Sequence, residues 1–297
     1  MKELTAFLVL ALALAWPGKP AADEIVLQQA DGSELRLEQP AKRLVTLSPH
    51  LAELVFAAGA GGTLLATVEY SNYPEAAAAL PRVGDAFRLD LETIVTLKPD
   101  LVIAWESGNP EAAVTQMRSL GLNVWAVEIR GPRQIGAALS AVGLATGREA
   151  QANEVAAMLE ARLDRLAGRF DGAEPVRYFY QVDPRPLFTI NGEHLISQGL
   201  SLCGGENIYA GEPALAFQVA HESVIVENPD ALIAPALPGA PNPLERWTEW
   251  PGMQAVRNGA MIMLNADKIS RATPRWLDAV ETACERLDRY RTPRPSH

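Results

Sequence analysis

The chain has 297 residues, 48% apolar and 21% charged, with 22 glycines, 22 prolines and two cysteines. These proportions exclude a disordered tail, a collagen-like rod and a disulfide-dense miniprotein, and the length is enough for two lobes of ordinary size. The formal net charge of -10, from 26 Lys+Arg against 36 Asp+Glu, argues against a nucleic-acid partner, because such a site needs surplus cations to displace counterions.

Lys2 precedes an apolar run from Leu4 to Trp16, broken only by Thr5, and small residues follow at Ala21 and Ala22. A helix rising ~1.5 Å per residue over that run falls short of the ~30 Å bilayer core. Residues 1–22 therefore read as a secretory signal peptide, with Ala13-Leu14-Ala15 as a second cleavage context. No cysteine precedes Cys203, so there is no lipobox, and no other apolar run is long enough to span. The mature protein is expected to be exported, free and soluble. In an oxidising compartment Cys203 and Cys284 can pair; the other reading is two buried apolar thiols, and a count of two in an exported chain favours the pair.

Strands and helices then alternate. Arg43 to Ser48 reads as a buried strand, His50 to Ala58 as a helix ended by Gly59, Leu101 to Trp105 as a second strand. A helix from Pro110 to Leu120 and a strand from Val124 to Val127 follow. Short apolar runs recur at Val176–Tyr180, Ala231–Ala234 and Met261–Met263. This alternation predicts parallel sheets covered by helices. Between the halves, Arg148 to Phe170 reads as one long helix, with Val155, Met158, Leu159, Leu163, Leu166 and Phe170 stepping along one face. It either crosses from lobe to lobe or packs within one of them.

An internal repeat supports two lobes of like construction. Residues 86–104 match residues 216–234 at a constant offset of 130, with seven of nineteen positions identical. Each copy has a loop aromatic (Phe87, Phe217), a glutamate in a first helical turn (Glu92, Glu222), a Pro-Asp turn and a buried strand. The expected organisation is a first lobe over residues 23–147, a connecting helix over 148–170 and a second lobe over 171–297.

The tools of catalysis are missing. The sequence has no G-x-S-x-G, no H-E-x-x-H and no phosphate-binding G-x-x-x-x-G-K-[ST]. Gly59-Ala60-Gly61-Gly62 follows a helix and so reads as a helix stop, and His50, His194 and His221 lack neighbours at metal-ligand spacing. Neither an enzyme nor a bound metal is expected. Aromatic residues fall instead at loop positions and strand ends: Tyr70 and Tyr73, Trp105 at the carboxyl end of a strand, Phe188, and the repeated Phe87 and Phe217. Ligands bind outside such strand ends in open α/β sheets, and aromatics there supply contact area with little rotamer entropy to lose. Trp125, Trp247, Trp250 and Trp276 read as structural.

The segments Leu44–Gly59, Tyr70–Pro74, Leu91–Trp105 and Cys203–Tyr209 closely resemble the periplasmic cobalamin-binding proteins of ABC importers, in the helical-backbone class of substrate-binding proteins. The likeness runs over roughly residues 40 to 290. It implies two Rossmann-like α/β lobes joined by one long helix, an interlobe cleft for a corrin ring, and delivery to a membrane permease driven by its ATPase. Cobalamin is then the transported ligand, not a cofactor, and the carrier is expected to be a periplasmic monomer. Tyr70, Trp105, Phe188 and Asp267 match the family's cleft residues. Ala86 and Ala216 stand where the family has cleft tryptophans, with Phe87 and Phe217 one place later. Glu92 and Glu222 match a pair of surface glutamates that meet arginines on the permease, one for each lobe. Cys203 and Cys284 match the family's disulfide.

Haem-binding and iron-siderophore-binding relatives share this architecture and form the alternative reading. A siderophore would draw on cleft arginines, with Arg88, Arg185 and Arg271 as candidates. His50 has two readings: a solvated first-turn histidine, or a cleft residue able to replace the upper ligand of cobalt.

Overall fold

The computed structural model describes residues 24–291; the signal peptide read at 1–22 lies outside them. The chain begins with a hairpin, β1 (Ile25–Gln28) and β2 (Glu34–Leu37), whose strands pair antiparallel. The first lobe continues with β3 (Leu44–Thr46), α1 (Pro49–Ala57), β4 (Leu64–Ala66), α2 (Glu75–Ala78), α3 (Leu91–Thr96), β5 (Leu101–Trp105), α4 (Glu111–Ser119) and β6 (Val124–Val127). Its sheet is parallel with the order β4-β3-β5-β6. Every residue of β3 and β6 is buried, as expected of strands covered on both faces.

Two long helices follow, α5 (Pro132–Thr146) and α6 (Glu149–Arg169). Gly147, at φ 68, closes α5 and permits the tight turn between them. Small residues let the two axes approach: a Cβ on Gly143 would stand 2.4 Å from that of Ala152, and one on Gly136 would meet Ala156. The helix expected at 148–170 is therefore present, and it is doubled by α5. Its buried face is Ala152, Ala156, Leu159, Leu163 and Leu166; Met158 is exposed, one position off the stripe that packs on α5.

The second lobe contains β7 (Val176–Tyr180), β8 (Asp183–Pro184), β9 (Leu187–Ile190), α7 (Leu195–Ser201), β10 (Gly205–Asn207), β11 (Ala216–Gln218) and α8 (His221–Glu227). It ends with β12 (Ala231–Ala236), α9 (Gln254–Arg257), β13 (Met261–Asn265), α10 (Ala266–Ile269) and α11 (Pro274–Asp288). Its main sheet, β10-β7-β12-β13, is parallel and repeats the strand order of the first lobe. A small antiparallel sheet, β11-β9-β8, lies beside it. Arg162 on α6 pairs with Asp278 and Glu281 on α11, which joins the connecting helices to the second lobe. The disulfide Cys203–Cys284 closes an 81-residue separation and ties the end of α7 to α11.

The repeat is also a repeat of hydrogen bonds. Asp100 accepts the backbone N–H groups of Lys42 and Arg43 ahead of β3, and Asp230 accepts that of Arg177 in β7. Arg43 donates to the carbonyls of Leu97 and Lys98 after α3, and Arg177 to that of Glu227 at the end of α8. In each lobe the Pro-Asp aspartate pins the first strand, and an arginine satisfies carbonyls that a helix end leaves free.

Candidate ligand-binding site

Both sheets point the carboxyl ends of their strands at a cleft between the lobes, the place where open α/β sheets bind ligands. The cleft encloses about 470 Å³. On the first lobe its wall is Pro49 and His50 after β3, Trp105 at the end of β5 and Ser107 after it, Glu128 to Arg130 after β6, and Tyr70. On the second lobe it is Glu193 to Ile196, Leu215, Leu237 after β12, and residues of the segment 266–272 after β13.

Trp105 is held from below. Its backbone N–H donates to Asn109 Oδ1 at 2.7 Å, and the buried Asn109 amide donates to the carbonyls of Leu47 and Ala86 at 2.9 Å each. The indole lies against Gly108, where a Cβ would come within 1.9 Å of the ring, so only glycine fits beneath it. The His50 ring meets the indole edge-on, with centroids 5.4 Å apart and planes at 89°. His50 Nδ1 lies 2.8 Å from the hydroxyl of buried Ser48. Burial, and after it the Arg271 guanidinium, lowers the His50 pKa to about 4, so the ring is neutral at pH 7.

His194 faces the cleft from the other lobe at the start of α7, and its Nδ1 accepts the backbone N–H of Ile196 at 3.2 Å. Burial lowers its pKa to about 4 as well. His50 is thus a partly buried cleft residue, not a solvated one, and His194 and Glu193, to which the sequence assigns no ligand role, line the opposite wall. Among the described residues no group of three His, Cys, Asp or Glu could hold a metal ion.

Tyr70 and Asp267 belong to a polar network that links the lobes. Arg271, 8% exposed, donates to Glu53 on α1, to Asn72, to the Tyr70 carbonyl and to Asp267. Asp267 also accepts from the Asn72 amide. Arg275 donates twice to Glu53 and stacks over the Tyr73 ring at 3.5 Å. Tyr70 holds φ 65, a left-handed conformation uncommon outside glycine, and its side chain is 77% exposed at the mouth of the cleft. Arg271 fixes that backbone by its bond to the carbonyl. Glu53 carries a sequence signal of its own, a carboxylate among the buried Leu51, Ala52, Leu54 and Val55 of one apolar helix. Its partners, more than two hundred residues away in sequence, could not be read there.

The three phenylalanines stand outside the cleft wall. Phe87 is an exposed loop residue, held by Asp85, which accepts the N–H groups of Phe87 and Arg88. Phe188 is half-buried in β9, opposite Gln218. Phe217 lies in β11, not in a loop, edge-on to Tyr209 at 5.8 Å. Glu92 and Glu222 are both exposed in the first turns of α3 and α8. Of the three candidate arginines, Arg271 lines the cleft and Arg88 and Arg185 do not.

Comparison with known proteins places the chain among relatives of the same build. The vitamin B12-binding protein of Vibrio cholerae is 36% identical over 249 residues, covering 84% of this chain and 90% of its own length. The crystal structure of the periplasmic vitamin B12-binding protein BtuF of Vibrio cholerae superposes with a TM-score of 0.79, covering 84% of this chain and 98% of that one. The vitamin B12-binding protein of Yersinia pestis is 34% identical over 86% of this chain and 89% of its own. A periplasmic haem-binding protein from Pseudomonas aeruginosa, 19% identical with a TM-score of 0.74 over 86% of this chain and 96% of that one, shares the fold alone. The sequence profile of the periplasmic binding proteins matches residues 44–268. With two parallel-sheet lobes around a cleft and this match across both, the chain belongs to the periplasmic binding protein family.

Proposed function

We propose that the protein captures cobalamin in its interlobe cleft and delivers it, in the periplasm, to the permease of an ABC importer. It is a carrier and not an enzyme. The observation that carries this reading is the likeness to the Vibrio cholerae vitamin B12-binding protein along nearly all of that relative's length, through both walls of the cleft. A corrin is a broad, largely apolar disc edged with amides. The cleft meets it with Trp105, Ile129, Leu195 and Ile196 for the disc and with His194, Arg130 and Glu193 for the amides. The cleft opens at a rim where Tyr70, Leu215 and Leu237 are exposed, and the substituents of the corrin project there. Phe87, Phe188 and Phe217 are assigned to those outer contacts.

Delivery uses Glu92 and Glu222. They occupy equivalent first turns of the two lobes, and a two-fold permease offers each the same cationic partner. The lobes span residues 23–147 and 171–297 in this reading, with 148–170 between them.

The siderophore alternative needs cleft arginines free to meet an anion; Arg271 is already bonded to two carboxylates, which leaves Arg130, 3.8 Å from Glu128, on the first-lobe wall. The test is to incubate purified protein with cyanocobalamin, haem and a ferric siderophore, desalt, and record absorption spectra. Retention of about one cobalamin per chain, with the other two lost, is the expected result. Retention of haem or siderophore in its place overturns the reading.

A further inference from the structure

We propose that His50 binds the cobalt of cobalamin through Nε2, taking the place of an exchangeable upper ligand. The inference rests on cobalamin as the cargo and adds a coordination bond to it.

The geometry separates the two cleft histidines. His194 accepts the Ile196 N–H at Nδ1, so its neutral ring carries the proton on Nε2 and offers the cleft a donor. It has no lone pair to give a metal. His50 faces a hydroxyl instead, and a hydroxyl can accept as well as donate. With the Nδ1 proton given to Ser48 Oγ, the Nε2 lone pair is free. The two nitrogens of an imidazole point in nearly opposite directions. Since Nδ1 is turned toward Ser48, which is fully buried, Nε2 is turned away from the interior, and His50 lines the cleft. The edge-on contact with Trp105 fixes the ring plane, as an outer-shell partner does for metal-binding histidines.

Two of the other possible donors are committed: Asp267 accepts from Arg271 and Asn72, and Glu128 accepts from the Ser107 N–H and lies 3.8 Å from Arg130. Glu193, on the second-lobe wall, offers a carboxylate, a harder ligand than imidazole. Neutral imidazole is a good ligand for transition metals. The step is a substitution: water leaves the cobalt, the Nε2 lone pair forms the new bond, and the metal keeps its oxidation state.

The experiment loads the protein with aquocobalamin at pH 7, separates bound from free by gel filtration, and records the visible spectrum of the bound fraction. The expected result is a shift of the bands to the positions given by aquocobalamin in excess free imidazole. His50→Gln and His50→Ala should lose the shift while the cobalamin still co-elutes, and His221→Ala, outside the cleft wall, should keep it. Cyanocobalamin, whose upper ligand is held firmly, should co-elute unshifted. Co-elution of aquocobalamin with an unshifted spectrum in the wild type overturns the proposal, as does an undiminished shift in His50→Gln. If no cobalamin co-elutes with the wild type, the cargo itself is wrong and the proposal falls with it.

Discussion

Glu53 on α1 and Arg271, in the turn between α10 and α11, form an ion pair at 2.8 Å, and the carboxylate is 3% exposed. Arg275 reaches the same Glu53 oxygen at 2.7 Å. One buried carboxylate of the first lobe therefore meets two guanidinium groups of the second, alongside the cleft. Arg271 also holds the Tyr70 carbonyl and Asp267, so the pair that links the lobes sets the position of two cleft residues.

Removing the carboxylate strands buried charge. Glu53→Ala should destabilise the fold by about 3–5 kcal/mol, the range for breaking a buried pair from one side. The midpoint of urea unfolding measures it. A loss below about 1 kcal/mol, typical of exposed pairs, would show that the network is solvated.

Trp105→Ala removes the indole that packs on Gly108 and against His50. Cobalamin binding should weaken by about 2–4 kcal/mol, as for other large aromatic anchors. Titration calorimetry at constant salt checks this, and unchanged affinity would take Trp105 out of the site.

The sequence carries most of this architecture and little of the network. The central strands are legible because buried parallel strands are unbroken apolar runs, and β5, β6 and β7 fall where those runs lie. The helix α6 is legible from its period, except at Met158, because a stripe does not reveal which neighbour covers its edge. The opening hairpin has a signal of its own, Asp31-Gly32 between two short alternating segments. The short sheet of β8, β9 and β11 turns Phe217 from a loop residue into a strand residue, because its pairing with Thr189 is non-local. Trp105, an aromatic at a strand end, could be read from sequence, whereas Phe87, Phe188 and Phe217, read in the same way, stand outside the cleft wall. Arg271 with Glu53, 218 residues apart, could not be read there.

Acid should weaken the fold through both cleft histidines. Each has a folded pKa of about 4, lowered by burial first and, for His50, by Arg271 second. Unfolded imidazole titrates near ~6.5. Above that pH neither state binds the proton and their contribution is fully present. Between about 6.5 and 4 the unfolded chain takes up protons that the folded chain refuses, and stability falls. Urea midpoints across this window should drop, and less steeply in His194→Gln. Equal slopes in the two proteins would contradict the low value for His194.

Replacing both Cys203 and Cys284 with Ala should cost up to about 4–5 kcal/mol on the chain-entropy account of a loop this long. Thermal unfolding of oxidised and variant protein gives the difference. Coincident transitions would mean that strain in the folded state cancels the gain.

Replacing Glu92 and Glu222 together with Ala should leave cobalamin affinity and folding unchanged, since both side chains are exposed. Binding to the permease should weaken and lose much of its salt dependence, because two charge pairs are gone. Reconstituted uptake over a range of salt measures this. Wild-type uptake at every salt concentration would refute docking through these glutamates.

The central claim is that cobalamin lies between the lobes, and a crystal structure of the protein with cyanocobalamin tests it most directly. The account predicts one corrin per chain, lying between Trp105 of the first lobe and the segment from Glu193 to Ile196 of the second. A corrin bound elsewhere on the molecule, or a cleft left without one at saturating cyanocobalamin, would contradict it.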